Sequence, residues 1–362
     1  MPKIVDYQIY KLDIPLKRPF VTSIRSSKSL KGIVCEVILA DGQVGFGESA
    51  ENVKLTGESR ADMSRFIKDF FDEHLNGEAE DILLSLQSFA NHSAARYGME
   101  IAILDAVAKD EDEEISSELG IDVKTRQLMN DTTISLMDSA ATIRETKRVL
   151  AAGYQRIKFK VGHGNSEIQR ILQLADVIPA NISVRIDPNQ SWNYQEALDA
   201  IQAFDESSLQ VEFIEQPFNL LMVDKMKQLA LKTNIPIIAD ESVFTLEDAK
   251  RVIENGYGTA INIKLIKCGG PLEAIEIANF AKRKGINCLL GCTTESNIAL
   301  TTAAYLSAGL DNVKYNDLDG LDYIVDTPFS GGIIDQNGEI EIPKQQNGLG
   351  ISIAKQQYLT KY

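Results

Sequence analysis

An α/β fold, with a TIM-like barrel preceded by an α+β domain, is what the amino-acid sequence predicts, and three observations carry it. Eight apolar runs of strand character recur from residue 132 onward, with amphipathic helical segments in the gaps between them. Their repeat of about 25 residues suits a βα unit, and strands that alternate with helices pair as a buried parallel sheet. The chain ahead of that repeat has no such rhythm and passes from alternating strand patterns to helical periodicity.

Taken in order, Ile4–Tyr10 and Ile33–Leu39 read as strands, and the turn Asp41-Gly42 leads into a third at Val44–Glu48, which makes an antiparallel meander. Thr22–Ser29 reads as a polar loop and Ser49–Gly57 as a second. Both are candidates for function, because loops on a rigid scaffold often carry binding residues. Helical periodicity follows over Arg60–Leu75, Ile82–Ser88 and Ala94–Lys109. The first four barrel strands are expected at Thr132–Leu136, Arg156–Lys160, Ser183–Asp187 and Glu212–Glu215. The last four are expected at Pro236–Asp240, Ala260–Leu265, Asn287–Leu290 and Val313–Asp317. Beyond Asp319 the chain is irregular and glycine-rich, with short strand-like pieces near Gly338–Ile340 and Ile351–Ile353. The expected division is an α+β domain at 1–125, the barrel at 126–320, and a segment at 321–362 that returns to the first domain.

With 362 residues, 44% of them hydrophobic and 25% charged, the chain can bury a large core as an ordinary soluble protein does. A formal charge of −15 without a Lys/Arg cluster excludes nucleic acid and anionic membrane as partners and fits a small-molecule substrate. No run is long enough to span a bilayer, and no apolar signal core follows Met1-Pro2-Lys3, so the expected location is cytoplasmic. Cys35, Cys268, Cys288 and Cys292 lack metal-site spacing and lie in or beside apolar runs, which reads as buried free thiols.

Active sites of such barrels form at the C-terminal ends of the strands, so the strand-end residues carry the chemistry. Lys158 and Lys160 share one face of the second strand, where ammonium groups in a buried setting need a reason. Asp187, Glu215 and Asp240 end the third, fourth and fifth strands. Singly each reads as a helix cap; three carboxylates in register repel one another unless a cation sits among them, and all-oxygen ligation suits Mg²⁺. Lys264 ends the sixth strand, opposite Lys160 across the ring, and Lys267 lies beyond that strand end and reads as a loop residue. Two amines on opposite sides of a metal-held substrate are what a two-base proton exchange at carbon needs.

These residues carry a family resemblance. Lys-x-Lys on the second strand, the contexts Asp187-Pro-Asn-Gln, Glu215-Gln-Pro and Ala-Asp240-Glu-Ser, and Lys264 in Asn-Ile-Lys-Leu-Ile-Lys-Cys-Gly-Gly resemble the enolase superfamily, and within it the muconate-lactonising subgroup. The resemblance covers essentially the whole chain. It implies a modified (β/α)7β barrel under an N-terminal capping domain completed by the C-terminal tail, with an essential Mg²⁺. The implied reaction abstracts the proton α to a carboxylate, with Lys160 and Lys264 as the acid/base pair and Lys158 supporting the enolate oxygen. None of His74, His92 and His163 ends the seventh strand, where Leu289-Leu290-Gly291-Cys292 stands, so the histidine-base chemistry of the mandelate-racemase-like subgroup is excluded.

Cycloisomerisation, o-succinylbenzoate synthesis, N-acylamino acid racemisation and dipeptide epimerisation all occur in that subgroup. Asn316-Asp317-Leu318-Asp319-Gly320 discriminates among them, because alternation turns Asp317 and Asp319 to one face as a carboxylate pair in need of a substrate cation. The α-ammonium of a dipeptide supplies that cation, and the Asp-x-Asp resembles the mark of dipeptide epimerases such as the alanine-glutamate epimerases. An acylated nitrogen would leave both carboxylates desolvated and unpaired. The expected function is therefore Mg²⁺-dependent epimerisation of L-Ala-L-Xaa, with N-acylamino acid racemase or o-succinylbenzoate synthase as the rival reading and a non-catalytic metal-stabilised barrel as the third. Arg25 holds a matching place in a loop that covers the substrate and suits an acidic Xaa, whereas Val21, Ile24, Val53 and Leu55 give the loops an apolar character that suits a hydrophobic one. Thr133, on the first barrel strand, and Glu295, after the seventh, complete the expected substrate-binding set. Barrels of this type often associate, which leaves a homo-oligomer open.

Overall fold

The computed structural model describes residues 2–362. Two antiparallel strands, Ile4–Val21 and Ser26–Leu39, form a long hairpin, and Val44–Ala50 adds a third strand to it. The hairpin is longer than its two apolar patches suggest. Pairing continues to Val21 opposite Ser26 across an irregularity between Pro15 and Phe20, so the expected loop at Thr22–Ser29 shrinks to a tip at Thr22–Arg25, closed by Thr22 N donating to Arg25 O at 2.9 Å. Ser26–Ser29 belong to the strand because their backbone groups find ladder partners there, and a polar sequence on a solvated edge costs a strand little.

Helices Arg60–His74 and Ser93–Asp110 cover the hairpin sheet, with Ala79–Gln87 between them in sequence and packed on Ser93–Asp110, the third of the three. In the third of them Ala94 through Ala108 are all buried, between the sheet on one side and the barrel on the other. Its close approach to the sheet depends on glycine: a Cβ on Gly47 would stand 1.7 Å from Gly98 O.

Eight parallel strands follow in sequence order: Thr132–Ile134, Arg156–Lys160, Ser183–Asp187, Gln210–Glu215, Ile237–Ala239, Ala260–Ile263, Asn287–Gly291 and Val313–Asp317. Each pairs with the next by a parallel ladder, and one or more helices fill each of the seven gaps. The seam between the eighth strand and the first is bridged by side chains. Asn316 Nδ2 donates to Met129 O at 3.0 Å, Leu318 N donates to Asn130 Oδ1 at 2.9 Å, and Arg185 Nη1 spans Asp131 Oδ2 and Asn316 O. After the eighth strand only the single turn Gly320–Tyr323 is helical, which gives the expected (β/α)7β form.

The tail reaches both parts of the chain. Leu359–Lys361 pairs with Tyr10–Leu12 of the hairpin, whereas Ile334–Gln336 and Glu339–Glu341 form a small sheet with Gln127–Met129, just ahead of the first barrel strand. Buried Asp105 ties these pieces together by accepting from Leu349 N at 2.7 Å, Phe46 N at 2.9 Å and Lys109 Nζ at 2.7 Å. All four cysteines are free and buried, as expected. Among the described residues no helix is long and apolar enough to cross a membrane.

Candidate active site

The C-terminal ends of parallel strands point to one end of a barrel, and here the hairpin tip reaches over that end. Ser23 Oγ donates to Pro188 O and Asn189 O, each at 3.1 Å, which holds the tip above the third strand's loop. Between tip and barrel lies a cavity, partly open to solvent. Thr133, Lys160, Asp240, Lys264, Asp317 and Asp319 line it from the barrel and Arg25 lines it from the tip.

Strand alternation explains the lysines. In Arg156–Lys160 the side chains of Ile157 and Phe159 pack into the apolar core, and Lys158 and Lys160 take the opposite face, toward the barrel axis. Both then find carboxylates: Lys160 Nζ lies 2.5 Å from Asp187 Oδ2, and Lys158 Nζ lies 3.1 Å from the same oxygen, 2.6 Å from Glu215 Oε2 and 2.7 Å from Asp317 Oδ2. On the sixth strand's end Lys264 Nζ lies 2.7 Å from Asp240 Oδ2 and 3.9 Å from Glu215 Oε1. Burial alone would push Lys158 down, but Asp317, Glu215 and Asp187 together hold it well above the usual lysine range. Lys264 is raised in the same way: burial opposes, and Asp240 and Glu215 win.

The carboxylates record the other side of this balance. Burial, opposed by Lys158, Lys160 and Lys264, leaves Asp317 at about 2. Burial, again opposed by lysines, likewise leaves Asp187 and Asp240 below the usual range, whereas at three other carboxylates burial and like charge win. Glu215 is pushed up to about 7 by burial and Asp187, Glu241 to about 8 by burial and Asp240, and Asp319 to about 7 by burial and Asp317. Six buried carboxylates, Asp187, Glu215, Asp240, Glu241, Asp317 and Asp319, face four buried ammonium groups, Lys158, Lys160, Lys264 and Lys267, so carboxylates are in excess. Glu241 Oε2, Asn189 Oδ1 and Asn262 Oδ1 are buried acceptors without a hydrogen-bond partner. An oxygen-rich, negatively charged donor set of this kind fits a hard dication.

Lysine nitrogens stand between Asp187, Glu215 and Asp240, because each ammonium bridges the nearest carboxylates. Among the described residues the trio whose ligand atoms lie within 4.8 Å of one another is instead Asp131, Asp317 and Asp319. That trio already has partners: Arg185 Nη1 donates to Asp131 at 2.6 Å, Lys158 Nζ to Asp317 at 2.7 Å, and Thr133 N to Asp319 at 2.6 Å.

Arg25 reaches Thr294 Oγ1 at 3.0 Å, and burial pushes its guanidinium below the usual range while Glu295 opposes the shift. Glu295 itself does not line the cavity. Its Oε1 accepts from Tyr97 Oη at 3.4 Å and Thr293 Oγ1 at 3.3 Å, and burial beside Glu48 pushes it up to about 8.

Lys267 needs correcting. It is not a loop residue: it sits in the single helical turn Leu265–Cys268, buried, with Nζ donating to Asp240 O at 2.6 Å, Asp240 Oδ1 at 2.7 Å and Asn262 O at 3.0 Å. The turn carries the chain back under the fifth strand's end, and the Lys-Leu-Ile-Lys spacing, which sets two lysines on one helical face, was the available signal. Asp131 and Glu241 escaped sequence reading as well. Glu241 had a signal in its place next to Asp240, whereas Asp131 lies ahead of the first strand and had none.

The family described as enolase C-terminal domain-like matches residues 141–357. The L-Ala-D/L-Glu epimerase of Francisella tularensis subsp. novicida is 34% identical over 359 residues, covering 97% of this chain and 100% of that protein. A substrate-liganded complex of the L-Ala-D/L-Glu epimerase from Bacillus subtilis superposes with a TM-score of 0.90 at 28% identity, over 94% of this chain and 96% of the other. The dipeptide epimerase of Enterococcus faecalis V583, complexed with Mg and L-Leu-L-Tyr, superposes with a TM-score of 0.91 at 28% identity, over 97% and 99% of the two chains. Barrel, strand-end charges and full-length likeness agree, and the chain belongs to the enolase C-terminal domain-like family.

Proposed function

We propose that this chain is a Mg²⁺-dependent epimerase of L-Ala-L-Xaa dipeptides that inverts the Cα of the C-terminal residue by two-base proton transfer. The observation that carries the reading is that Lys160 and Lys264, from the second and sixth strands, line one cavity together with the Asp317/Asp319 pair. Asp317 and Asp319 take the substrate ammonium, and Asp319 is held by Thr133 rather than by an ammonium group. Lys160 and Lys264 address the two faces of Cα, one accepting the proton and the other delivering one. Lys158, whose Nζ is buried among three carboxylates, supports the negative charge that develops on the substrate carboxylate. A magnesium ion held by Asp187, Glu215 and Asp240 supplies the further positive charge that makes the α-proton acidic enough to leave. Lys264 serves as a base only once Asp240 and Glu215, which hold it protonated, are engaged elsewhere.

Arg25 makes an acidic Xaa the first substrate to try, and Phe20, Ile24 and Leu55 beside it in the wall keep hydrophobic side chains in the set. In this reading residues 1–125 cap the barrel at 126–320, and 321–362 return through Gln127–Met129 at the start of the barrel segment to the cap, where Leu359–Lys361 pairs. Incubation with an L,L-dipeptide library and Mg²⁺ in D₂O, read by mass, tests the proposal. One or more members should gain a single deuterium and the L,D epimer; no uptake by any member refutes it.

A further inference from the structure

Lys267 makes no contact with the cavity, yet it is among the largest fully buried side chains of the molecule. Burying an ammonium costs several kcal/mol unless its donors are met, and all three donors of Lys267 are. Two of them grip one residue, at the backbone O and Oδ1 of Asp240; the third takes the backbone O of Asn262, whose Nδ2 in turn donates to Glu215 Oε1 at 2.7 Å. One ammonium therefore fixes Asp240 directly and Glu215 through Asn262.

The two lysines on Asp240 differ in what they can do. Lys264 lines the cavity and holds Oδ2, the oxygen that faces it; Lys267 lies behind and holds Oδ1. With Oδ1 and the main chain pinned, the carboxylate cannot rotate to present both oxygens to Lys264, so Oδ2 can pass from Lys264 to a cation without moving.

We infer that Lys267 is a positioning residue that holds Asp240 so that its Oδ2 alone serves the metal and Lys264 is released on its own face of the substrate. This rests on the proposed roles of Asp240 and Lys264. It makes Lys267 the support behind a metal ligand, and removing such a partner costs about 10- to 100-fold in metal affinity or activity.

Two measurements on Lys267→Met test it. Mn²⁺ binding, read by the electron paramagnetic resonance of free Mn²⁺ with no dipeptide present, should weaken by about tenfold or more. Deuterium wash-in should fall unevenly. The epimer still exchanged by Lys160→Ala is the one Lys264 serves, and its exchange should drop about tenfold further than that of the other epimer. Lys267→Gln, which keeps a donor toward Oδ1 without the charge, should shift both readouts the same way by less, and it serves where the methionine variant does not fold. Tighter Mn²⁺ binding in either variant would mean that Lys267 acts as a competing charge and overturns the inference. So does an equal loss for both epimers at unchanged Mn²⁺ affinity, while a wild-type protein that exchanges neither epimer refutes the underlying epimerase reading instead.

Discussion

Gly291 closes the seventh barrel strand and offers a severe test of where Lys264 must stand. A Cβ at this position would lie 2.6 Å from Asn262 Oδ1, 2.8 Å from Asn262 Nδ2 and 2.8 Å from Lys264 Cε, against an ordinary contact of about 3.5–4.0 Å. Something must give by about 0.7–1.4 Å. Both neighbours must yield: Asn262, which is held by Glu215 at 2.7 Å and through its backbone by Lys267, is strained, and Lys264, a longer side chain with open cavity beside it, is displaced as well. A misplacement of about 1 Å costs about 10²-fold in rate, or about 2.7 kcal/mol in the barrier. Gly291→Ala should therefore lose about 10²-fold in kcat, with overpacking costing about 1–3 kcal/mol of stability. Initial rates for both epimers in D₂O, alongside thermal unfolding, provide the assay. Exchange of the epimer served by Lys264 should suffer most, and wild-type kcat in a folded Gly291→Ala protein would refute the placement of Lys264 against the seventh strand.

The remaining predictions concern both bases, the ammonium subsite and the junction between cap and barrel. Lys160→Ala and Lys264→Ala should each abolish epimerisation while keeping deuterium exchange for opposite epimers; normal epimerisation by Lys264→Ala would exclude two-base chemistry. Asp319→Asn removes a charged acceptor and should cost about 1.5–3 kcal/mol in kcat/KM for a dipeptide, about 10- to 150-fold, with little change for an N-acylated analogue. Retained dipeptide activity would move the ammonium elsewhere. Glu48, on the third strand of the N-terminal sheet, accepts from Ser296 N at 2.9 Å, from Ser296 Oγ at 2.7 Å and from Ala299 N at 3.4 Å at the start of the helix Asn297–Gly309. Glu48→Ala leaves those buried donors unmet and should lower stability by about 1–3 kcal/mol in denaturant unfolding, while Glu48→Gln, which keeps an acceptor, stays nearer wild type.

The barrel was legible because its strands are buried on both faces and end in charge, a contrast that survives without knowledge of their partners. Arg156–Lys160, Ser183–Asp187 and Val313–Asp317 have the same limits in sequence and structure. Elements stabilised by their neighbours were not legible. Leu359–Lys361 and Ile334–Gln336 are three residues each, too short for any period, and exist because an edge was open beside Tyr10–Leu12 and beside Gln127–Met129. The hairpin's extension to Val21 and Ser26 was hidden for a related reason: residues such as Ser26, Ser27 and Ser29 are polar, and only the cross-strand register makes them strand.

The site divides along the same line. Residue types at strand ends were readable, since the fold sends every one of them to the same place. How their charges pair was not, because Lys158 meets Glu215 and Asp317 from strands far apart in sequence, and Lys267 reaches Asp240 only after its helical turn doubles back. That pairing changes what the residues mean. Three carboxylates alone suggest a metal and two lysines alone suggest two bases, but here each lysine is also the present partner of a proposed ligand. Six carboxylates outnumber four ammonium groups by two, and burial with like charge answers the excess by pushing Glu215, Glu241 and Asp319 up. A dication and a substrate ammonium both add positive charge where carboxylates are in excess, and a substrate lacking the ammonium supplies less of it.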